Sequence, residues 1–322
     1  MNSKYRFLLV LLAITALFIT GCSEDTSAPV EDDSASLTLR NYLIDNDMDL
    51  PDSLSNWIIG ADVVQGNEAN YYILDIRSES GYNTGQIPGA VHSSLATIVT
   101  DAAAATNPIV VVCFTGQSAG HAVVALRLSG YSDAKVLKFG MSSWHSDFDS
   151  WTTNCLNTAS GLTTWIAPTG SITASTEHNY PSLSATATDG AGILAERVAA
   201  MLAGGFKGVE STVVLANPSA YFINNYWAAI DVETYGNIQG ARRLNPMGLV
   251  DGFIKHNDPG ASVVTYCWTG QTSSMITAYL TVLGYDAVSL KFGSNNMIYD
   301  DLTAHNWTAS FDYAYESTPT LQ

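Results

Sequence analysis

A six-residue motif occurs twice in this chain and constrains its fold more than any other feature. Cys-Phe-Thr-Gly-Gln-Ser occupies positions 113–118, and Cys-Trp-Thr-Gly-Gln-Thr occupies positions 267–272. Each copy follows a short apolar run and precedes an apolar stretch with helical character. This order predicts a strand, a turn that carries the cysteine, and a helix. A helix N-terminus has unpaired backbone N–H groups and a positive dipole end, and both favour an ionised sulfur.

The repeat extends well beyond the two motifs. Four further blocks recur in the same order, offset by 151 to 156 residues. Two copies of one domain are therefore predicted, because solenoid repeats have much shorter periods. The matched blocks are 74–76 with 230–232, 85–90 with 236–241, 130–131 with 284–285, and 138–140 with 291–293.

Short runs rich in Val and Ile alternate with helical stretches in both copies, as in buried parallel sheets. We predict an α/β fold of two domains, each a small parallel sheet flanked by helices. One strand of the second copy is predicted at 226–231. Ligands of such sheets bind beyond the carboxyl ends of the strands, where both cysteines are expected. The predicted boundaries are a signal peptide at 1–21, a flexible tether at 22–36, a first domain at 37–151, a linker at 152–189, a second domain at 190–312 and a C-terminal tail at 313–322.

Three motifs of the first copy stand in a characteristic order: Asp-Ile-Arg at 75–77, Gly-Gln-Ile-Pro-Gly-Ala-Val-His at 85–92, and the loop at 113–118. In this order they resemble the rhodanese family. The second copy is similar, with Asp231, the block at 236–241 and the loop of Cys267. The resemblance spans residues 37 to 312 and implies a tandem rhodanese-like sulfurtransferase.

The resemblance implies that Cys113 and Cys267 are catalytic and carry sulfane sulfur as a persulfide. Glycines in the loops permit backbone conformations that other residues resist, and the hydroxyls of Ser118 and Thr272 are expected to donate to the sulfur. No cofactor is implied, and no metal site is expected. The substrate-binding loops are expected to consist of Phe114, Thr115, Gly116, Gln117 and Ser118 in the first copy and Trp268, Thr269, Gly270, Gln271 and Thr272 in the second.

The residues around the cysteines bear on the choice of substrate. Phosphatase-like relatives carry an arginine six positions after the cysteine, where this chain has Ala119 and Ser273. A phosphate dianion would lack its bidentate partner there. Neither loop contains a cation, so a polysulfide or small persulfide is favoured over thiosulfate as donor. The acceptor is expected to be a thiol or a cyanide-like nucleophile.

Several side chains near the loops allow two interpretations. Phe114 and Trp268 either contact substrate or pack against the neighbouring domain, and packing is favoured. Asp75 and Asp231 are expected to fix loop structure, as is Arg77, whose counterpart is taken to be Glu233.

Two further residues are candidates for chemistry. His121 is interpreted as a packing or helix-surface residue rather than a general base. Cys155 is interpreted as a bystander, with a resolving thiol as the alternative.

The N-terminus predicts export and a lipid anchor. Lys4 and Arg6 precede an apolar run at 7–20, which is short for a membrane span. Ile-Thr-Gly-Cys at 19–22 resembles a bacterial lipobox, so Cys22 is the expected lipidation site. An ordinary signal peptide is the alternative. Serine after this cysteine favours the outer membrane, which places the protein in the bacterial cell envelope.

The formal net charge of −17 repels nucleic acid, so no nucleic-acid partner is expected. The rival to an enzyme is a non-catalytic rhodanese-like lipoprotein. Such a protein would be a binding or assembly module for an outer-membrane redox or transport complex, with an envelope protein as its partner.

Overall fold

Parallel strands form the sheet of the first half of the chain. The structure is a computed structural model that describes residues 33–168 and 172–317. The signal peptide and Cys22 lie outside the described residues. The strands are β1 (Ile58–Ile59), β2 (Tyr72–Asp75), β3 (Val91–His92), β4 (Ile109–Val112) and β5 (Lys135–Leu137). They form one sheet in the order β1-β5-β4-β2-β3, and every neighbouring pair is parallel.

The second half repeats this sheet. Its strands are β6 (Trp165–Ile166), β7 (Gly208–Val209), β8 (Phe222–Asn225), β9 (Asn237–Ile238), β10 (Arg242–Arg243), β11 (Val263–Tyr266) and β12 (Ala287–Leu290). Five of them form a parallel sheet in the order β7-β12-β11-β8-β10, which is the strand order of the first sheet. Strands β6 and β9 form a separate antiparallel pair. The predicted α/β class with two parallel sheets is confirmed.

Helices cover both sheets. They are α1 (Ser34–Asp45), α2 (Leu50–Ser53), α3 (Ala61–Val64), α4 (Glu79–Thr84), α5 (Ile98–Ala102), α6 (Gln117–Leu128), α7 (Met141–Trp144), α8 (Gly190–Ala203), α9 (Ser211–Ala216), α10 (Ala229–Tyr235) and α11 (Gln271–Val282). Helix α1 begins within the stretch predicted as a tether. Within the described ranges, no helix combines the length and apolar character needed to cross a bilayer.

Helices α6 and α11, which follow the two cysteine motifs, pack against each other. Nearly every residue of both helices is buried, which fits sequences that are apolar on all sides. One continuous core contains Leu74 and Val111 from the first half together with Val263 and Met275 from the second. The two halves therefore share a hydrophobic core instead of meeting at a solvated surface.

The strand predicted at 226–231 is wrong. The strand is β8, which ends at Asn225, and Asp231 lies in helix α10. The sequence misled because the buried strand carries two asparagines, both without exposed surface, whereas part of the apolar run after it faces solvent. Ile230, for example, is 64% exposed.

Strand register also corrects two matches between the halves. Asp75 lies opposite the last residue of β4, and Asn225 lies opposite the last residue of β11. Asn225 is therefore the counterpart of Asp75, and Trp227 is the counterpart of Arg77. Asp231 and Glu233, which the sequence suggested for these roles, both lie on α10.

His121 lies in the interface between the halves. It has no exposed surface, and its ring is edge-on to that of Phe206, 6.3 Å away between centroids. Burial lowers the pKa of His121 from 6.5 to about 4. The imidazole is thus neutral in the folded protein at neutral pH, as befits a packing residue.

We expect this histidine to destabilise the fold in acid. Between pH 6.5 and 4 the unfolded chain binds a proton at His121 and the folded chain does not, so the free energy of unfolding falls as the pH falls. Methionine occupies the equivalent position 275 and does not titrate. His121→Met should therefore reduce the loss between pH 7 and pH 4.5 by about 2 kcal/mol in urea unfolding. An equal loss in both proteins would contradict this assignment.

Candidate active site

Each cysteine of the repeated motif lies at the carboxyl end of a central strand. Cys113 directly follows β4, and Cys267 directly follows β11. Their exposed fractions are only 3% and 2%. The Sγ of Cys113 accepts a hydrogen bond from the Gly116 N–H at 3.1 Å, and the Sγ of Cys267 accepts one from the Ser273 N–H at 3.4 Å. The donor to Cys113 is thus the residue before α6, and the donor to Cys267 lies in the first turn of α11.

A turn at the end of the neighbouring strand supports each loop from behind. The carbonyl oxygen of Cys113 accepts from the Met141 N–H at 2.8 Å, and that of Cys267 accepts from the Ser294 N–H at 3.1 Å. Both turns contain the Lys-Phe-Gly block, and both phenylalanines have a left-handed backbone, with φ of 63° at Phe139 and 59° at Phe292. This conformation costs a non-glycine residue about 1–2 kcal/mol.

The two loops are joined by a reciprocal pair of hydrogen bonds. The Oε1 of Gln117 accepts from the Phe292 N–H, and the Oε1 of Gln271 accepts from the Phe139 N–H, each at 2.9 Å. Each amide group also donates to the threonine two residues before it. We call this pair of contacts the glutamine clasp. Each glutamine thereby holds the turn that supports the opposite cysteine loop.

The glutamine side chains, predicted to belong to the substrate-binding loops, lie in the clasp. Gln117 is 4% exposed and Gln271 is 1% exposed, and both face the other half. Gly116 and Gly270 have φ of 81° and 74°, and a Cβ at either would collide with the opposite glutamine. Glycine is required there by the interface as well as by the turn.

The aromatic residues after the cysteines pack within their own halves. Phe114 is 38% exposed, and its ring lies 5.1 Å from the Arg77 guanidinium. Trp268 is stacked between Trp227, at 4.3 Å, and His305, at 5.0 Å. The expected packing against the neighbouring domain is therefore wrong for both.

Other aromatic rings span the interface beside the clasp. Trp151 packs edge-on to Phe139 and to Phe292, with centroid distances of 5.0 Å in both cases. Trp307 stacks on Trp151 at 6.1 Å. The indole N–H of Trp151 donates to the Thr115 carbonyl at 3.3 Å, so this cluster also contacts the first cysteine loop.

The side chains beside the two cysteine loops differ between the halves. In the first half, the buried Arg77 pairs with Asp75 at 2.6 Å and also donates to the Gly85 carbonyl. In the second half, the Asn225 side chain accepts from the Trp227 N–H at 3.1 Å. A buried ion pair in one half is thus replaced by a neutral amide and an indole in the other.

The hydroxyl nearest the second sulfur comes from a residue that sequence reasoning did not select. Ser273 Oγ lies 3.6 Å from the Sγ of Cys267, so the expected role of Thr272 belongs to its neighbour. At the equivalent position the first half has Ala119, and the bond to Cys113 comes from a backbone N–H. The sequence signal that could have identified Ser273 was its position six residues after Cys267, where phosphatase-like relatives carry an arginine.

Cys155 differs from the two loop cysteines. It is half-buried, forms no disulfide, and burial raises the pKa of Cys155 to about 11. It is therefore a protonated thiol at neutral pH, which does not favour the resolving-thiol alternative.

A large cavity lies apart from both cysteines. A cavity of about 760 Å³ lies in the second half, lined by Trp165, Tyr235 and Asp300 among others, but Cys267 does not line it. Among residues 33–168 and 172–317, no group of three or more His, Cys, Asp or Glu is placed to hold a metal ion.

Comparison with known proteins identifies the family. The model of the rhodanese-like domain matches residues 51–147. Thiosulfate sulfurtransferase GlpE of Shewanella oneidensis is 37% identical over 87 residues, which cover 26% of this chain and 85% of that protein. The chain belongs to the rhodanese-like family. GlpE of Pseudomonas paraeruginosa is 34% identical over 84 residues, covering 26% of this chain and 76% of that protein.

Two solved structures align with much of the chain at low identity. Thiosulfate sulfurtransferase from Pseudomonas aeruginosa is 15% identical with a TM-score of 0.29, covering 89% of this chain and 50% of that one. SseA from Escherichia coli is 15% identical with a TM-score of 0.29, covering 74% of this chain and 98% of that one.

The glutamine clasp makes a prediction that crosses the interface. Gln271→Ala removes the hydrogen-bond acceptor of the Phe139 N–H, so that N–H is left without a partner. We therefore expect a loss of about 1–3 kcal/mol in the free energy of unfolding. The exposed control Gln65→Ala should change it by less than about 0.5 kcal/mol. Gln271→Ala should also alter the alkylation rate of Cys113 more than that of Cys267, as measured on separated peptides. An effect confined to Cys267 would contradict the crossed arrangement.

Proposed function

We propose that this protein is an envelope sulfurtransferase that carries sulfane sulfur on both Cys113 and Cys267. One observation carries the proposal: the same cysteine loop recurs at the carboxyl edge of two sheets with the same strand order. The first of these sheets lies within the matched rhodanese-like domain. We propose that the second half is a further domain of this kind.

The chemistry follows from a thiolate beside backbone donors. The cysteine thiolate attacks the outer sulfur of a donor, so an Sγ–S bond forms while the bond from that sulfur to the rest of the donor breaks. The leaving group departs with the electron pair of the broken bond. An acceptor nucleophile then attacks the outer sulfur, and the cysteine leaves as a thiolate. The loop N–H groups stabilise the anionic sulfur at each stage.

The charge around the loops bears on the donor. Neither motif contains lysine or arginine, and Arg77, which lies near the first loop, is already paired with Asp75. A sulfonate would lose water without gaining a cation, which is unfavourable. We therefore propose a polysulfide or small persulfide as donor, although the relatives are named for thiosulfate, and a thiol or cyanide-like acceptor.

The burial of both sulfurs favours one alternative. Exposed fractions of 3% and 2% suit a rhodanese-like protein that has become a binding module for an envelope complex. In that case neither thiol would exchange sulfur, although both loops would be intact.

Sulfur loading separates the two functions. Each single variant, Cys113→Ser or Cys267→Ser, should gain one sulfur atom on the remaining loop peptide after mixing with polysulfide, and the double variant should gain none. Mass spectrometry of the full chain after treatment with thiosulfate, polysulfide or mercaptopyruvate measures this. We expect polysulfide to load fastest. If no donor loads either loop while unfolding curves stay unchanged, the binding-module alternative is correct.

We also propose that the protein is lipid-anchored in the bacterial envelope, on the strength of the sequence at 19–22. Cys22→Ala should release the protein from the membrane fraction or leave an unprocessed precursor, because no acceptor thiol remains for the lipid. Cys155→Ala, a cysteine within the fold, serves as the matched control. Undiminished lipid labelling of the Cys22 variant would refute the anchor.

A further inference from the structure

A chain of buried hydroxyl groups lies behind the second cysteine. The Sγ of Cys267 is 3.6 Å from the Oγ of Ser273, which is 2.8 Å from the Oγ of Ser289. The Ser289 hydroxyl lies 3.4 Å from the carbonyl oxygen of Gly270, at the end of the same loop. Both serines have no exposed surface. A buried hydroxyl is costly unless it is hydrogen-bonded, and each of these two hydroxyls has partners.

The first half lacks this chain. Register aligns Ser289, opposite the third residue of β11, with Val136, opposite the third residue of β4. Ser273 aligns with Ala119, since each lies six residues after its cysteine. The two halves therefore place a hydroxyl pair and an apolar pair at the same two positions behind otherwise similar loops.

The hydroxyl chain satisfies Cys267 in both of its protonation states. As a thiol, S–H donates to Ser273, Ser273 donates to Ser289, and Ser289 donates to the Gly270 carbonyl. As a thiolate, the sulfur accepts from the Ser273 hydroxyl, which turns round and accepts from Ser289. The Gly270 carbonyl keeps a donor in that state, because the Ser274 N–H also bonds to it at 3.1 Å.

We propose that Ser273 is a catalytic residue of the second site and that Ser289 positions it, so that together they stabilise the Cys267 thiolate. The thiol proton leaves to water at the loop mouth, and the two hydroxyls only reorient. Cys113 has a backbone N–H and no hydroxyl chain, so Cys267 is the more nucleophilic thiol at neutral pH. The role in sulfur transfer rests on the proposed function, whereas the effect on the thiolate does not.

The test uses variants that differ in one hydroxyl. All variants are made in a Cys113→Ser background. Ser289→Thr keeps the hydroxyl, and Ser289→Val has the shape of threonine but lacks the hydroxyl. Ser273→Ala removes the group that contacts the sulfur. Alkylation of Cys267 by iodoacetamide is followed on the full chain from pH 5.5 to 9.5.

At pH 7 we expect Ser273→Ala to slow alkylation about tenfold, which corresponds to about 1.4 kcal/mol, and Ser289→Val to slow it about threefold. Ser289→Thr should react at the original rate. All rates should converge at high pH, where the thiolate forms without help. Equal rates for Thr and Val at position 289, or a slowing that is the same at every pH, would overturn the proposal.

The first half supplies the reciprocal experiment. In a Cys267→Ser background, the double variant Ala119→Ser, Val136→Ser should quicken alkylation of Cys113 at pH 7, and no change there would count against the proposal. Alkylation needs no sulfur donor. If the pH effects appear and no donor loads sulfur, then the hydroxyl chain stands and the sulfurtransferase proposal fails.

Discussion

The glutamine clasp is the contact on which both cysteine loops depend. Each loop rests on a turn whose phenylalanine has a left-handed backbone, and the N–H of that phenylalanine bonds to a glutamine of the other half. One such hydrogen bond contributes about 1 kcal/mol, which is comparable to the strain at one phenylalanine. Each loop therefore depends in part on the opposite half for the turn that supports it.

Within this shared framework the two sites have different surroundings. The first mouth is braced by the Asp75–Arg77 ion pair, with Phe114 against the guanidinium. The second mouth has Asn225 and Trp227 instead, and Trp227 supports the ring of Trp268. The first half thus has a buried ion pair beside its loop where the second has a neutral amide and an indole. The second half has two hydroxyls behind its sulfur, at the positions of Ala119 and Val136 in the first.

Much of this architecture could be predicted from the sequence. The two cysteine motifs and the matched blocks at 85–90 and 236–241 indicated a repeated α/β unit. They are visible in the sequence because a turn that needs positive φ keeps its glycine in both copies. The block 230–232 was misleading because a chance Ile-Asp-Val resembles a strand end, whereas the true strand contains buried asparagines. Hydropathy cannot identify a strand whose interior positions are polar.

The orientation of the loop side chains could not be predicted. Gln117 and Gln271 are the first residues of α6 and α11, and each directly follows a glycine. Only the packing of α6 on α11 turns them toward the opposite half, and that contact is not encoded in local periodicity. The hydroxyl pair behind Cys267 was invisible for a related reason. Ser273 and Ser289 are 16 residues apart in sequence, and only strand register brings them together.

The two sites therefore differ in access as well as in activation. Phe114 is more than one-third exposed and contacts a side chain, so its ring can move at the cost of one cation–π contact, about 0.5–1 kcal/mol at an exposed site. Trp268 is held between two rings and meets a third edge-on, at Tyr235. Moving it would break several aromatic contacts, each of similar strength. The second half thus combines the hydroxyl chain at Cys267 with the aromatic ring that is harder to move. The same substitution at Cys113 and at Cys267 is therefore expected to change reactivity to different extents.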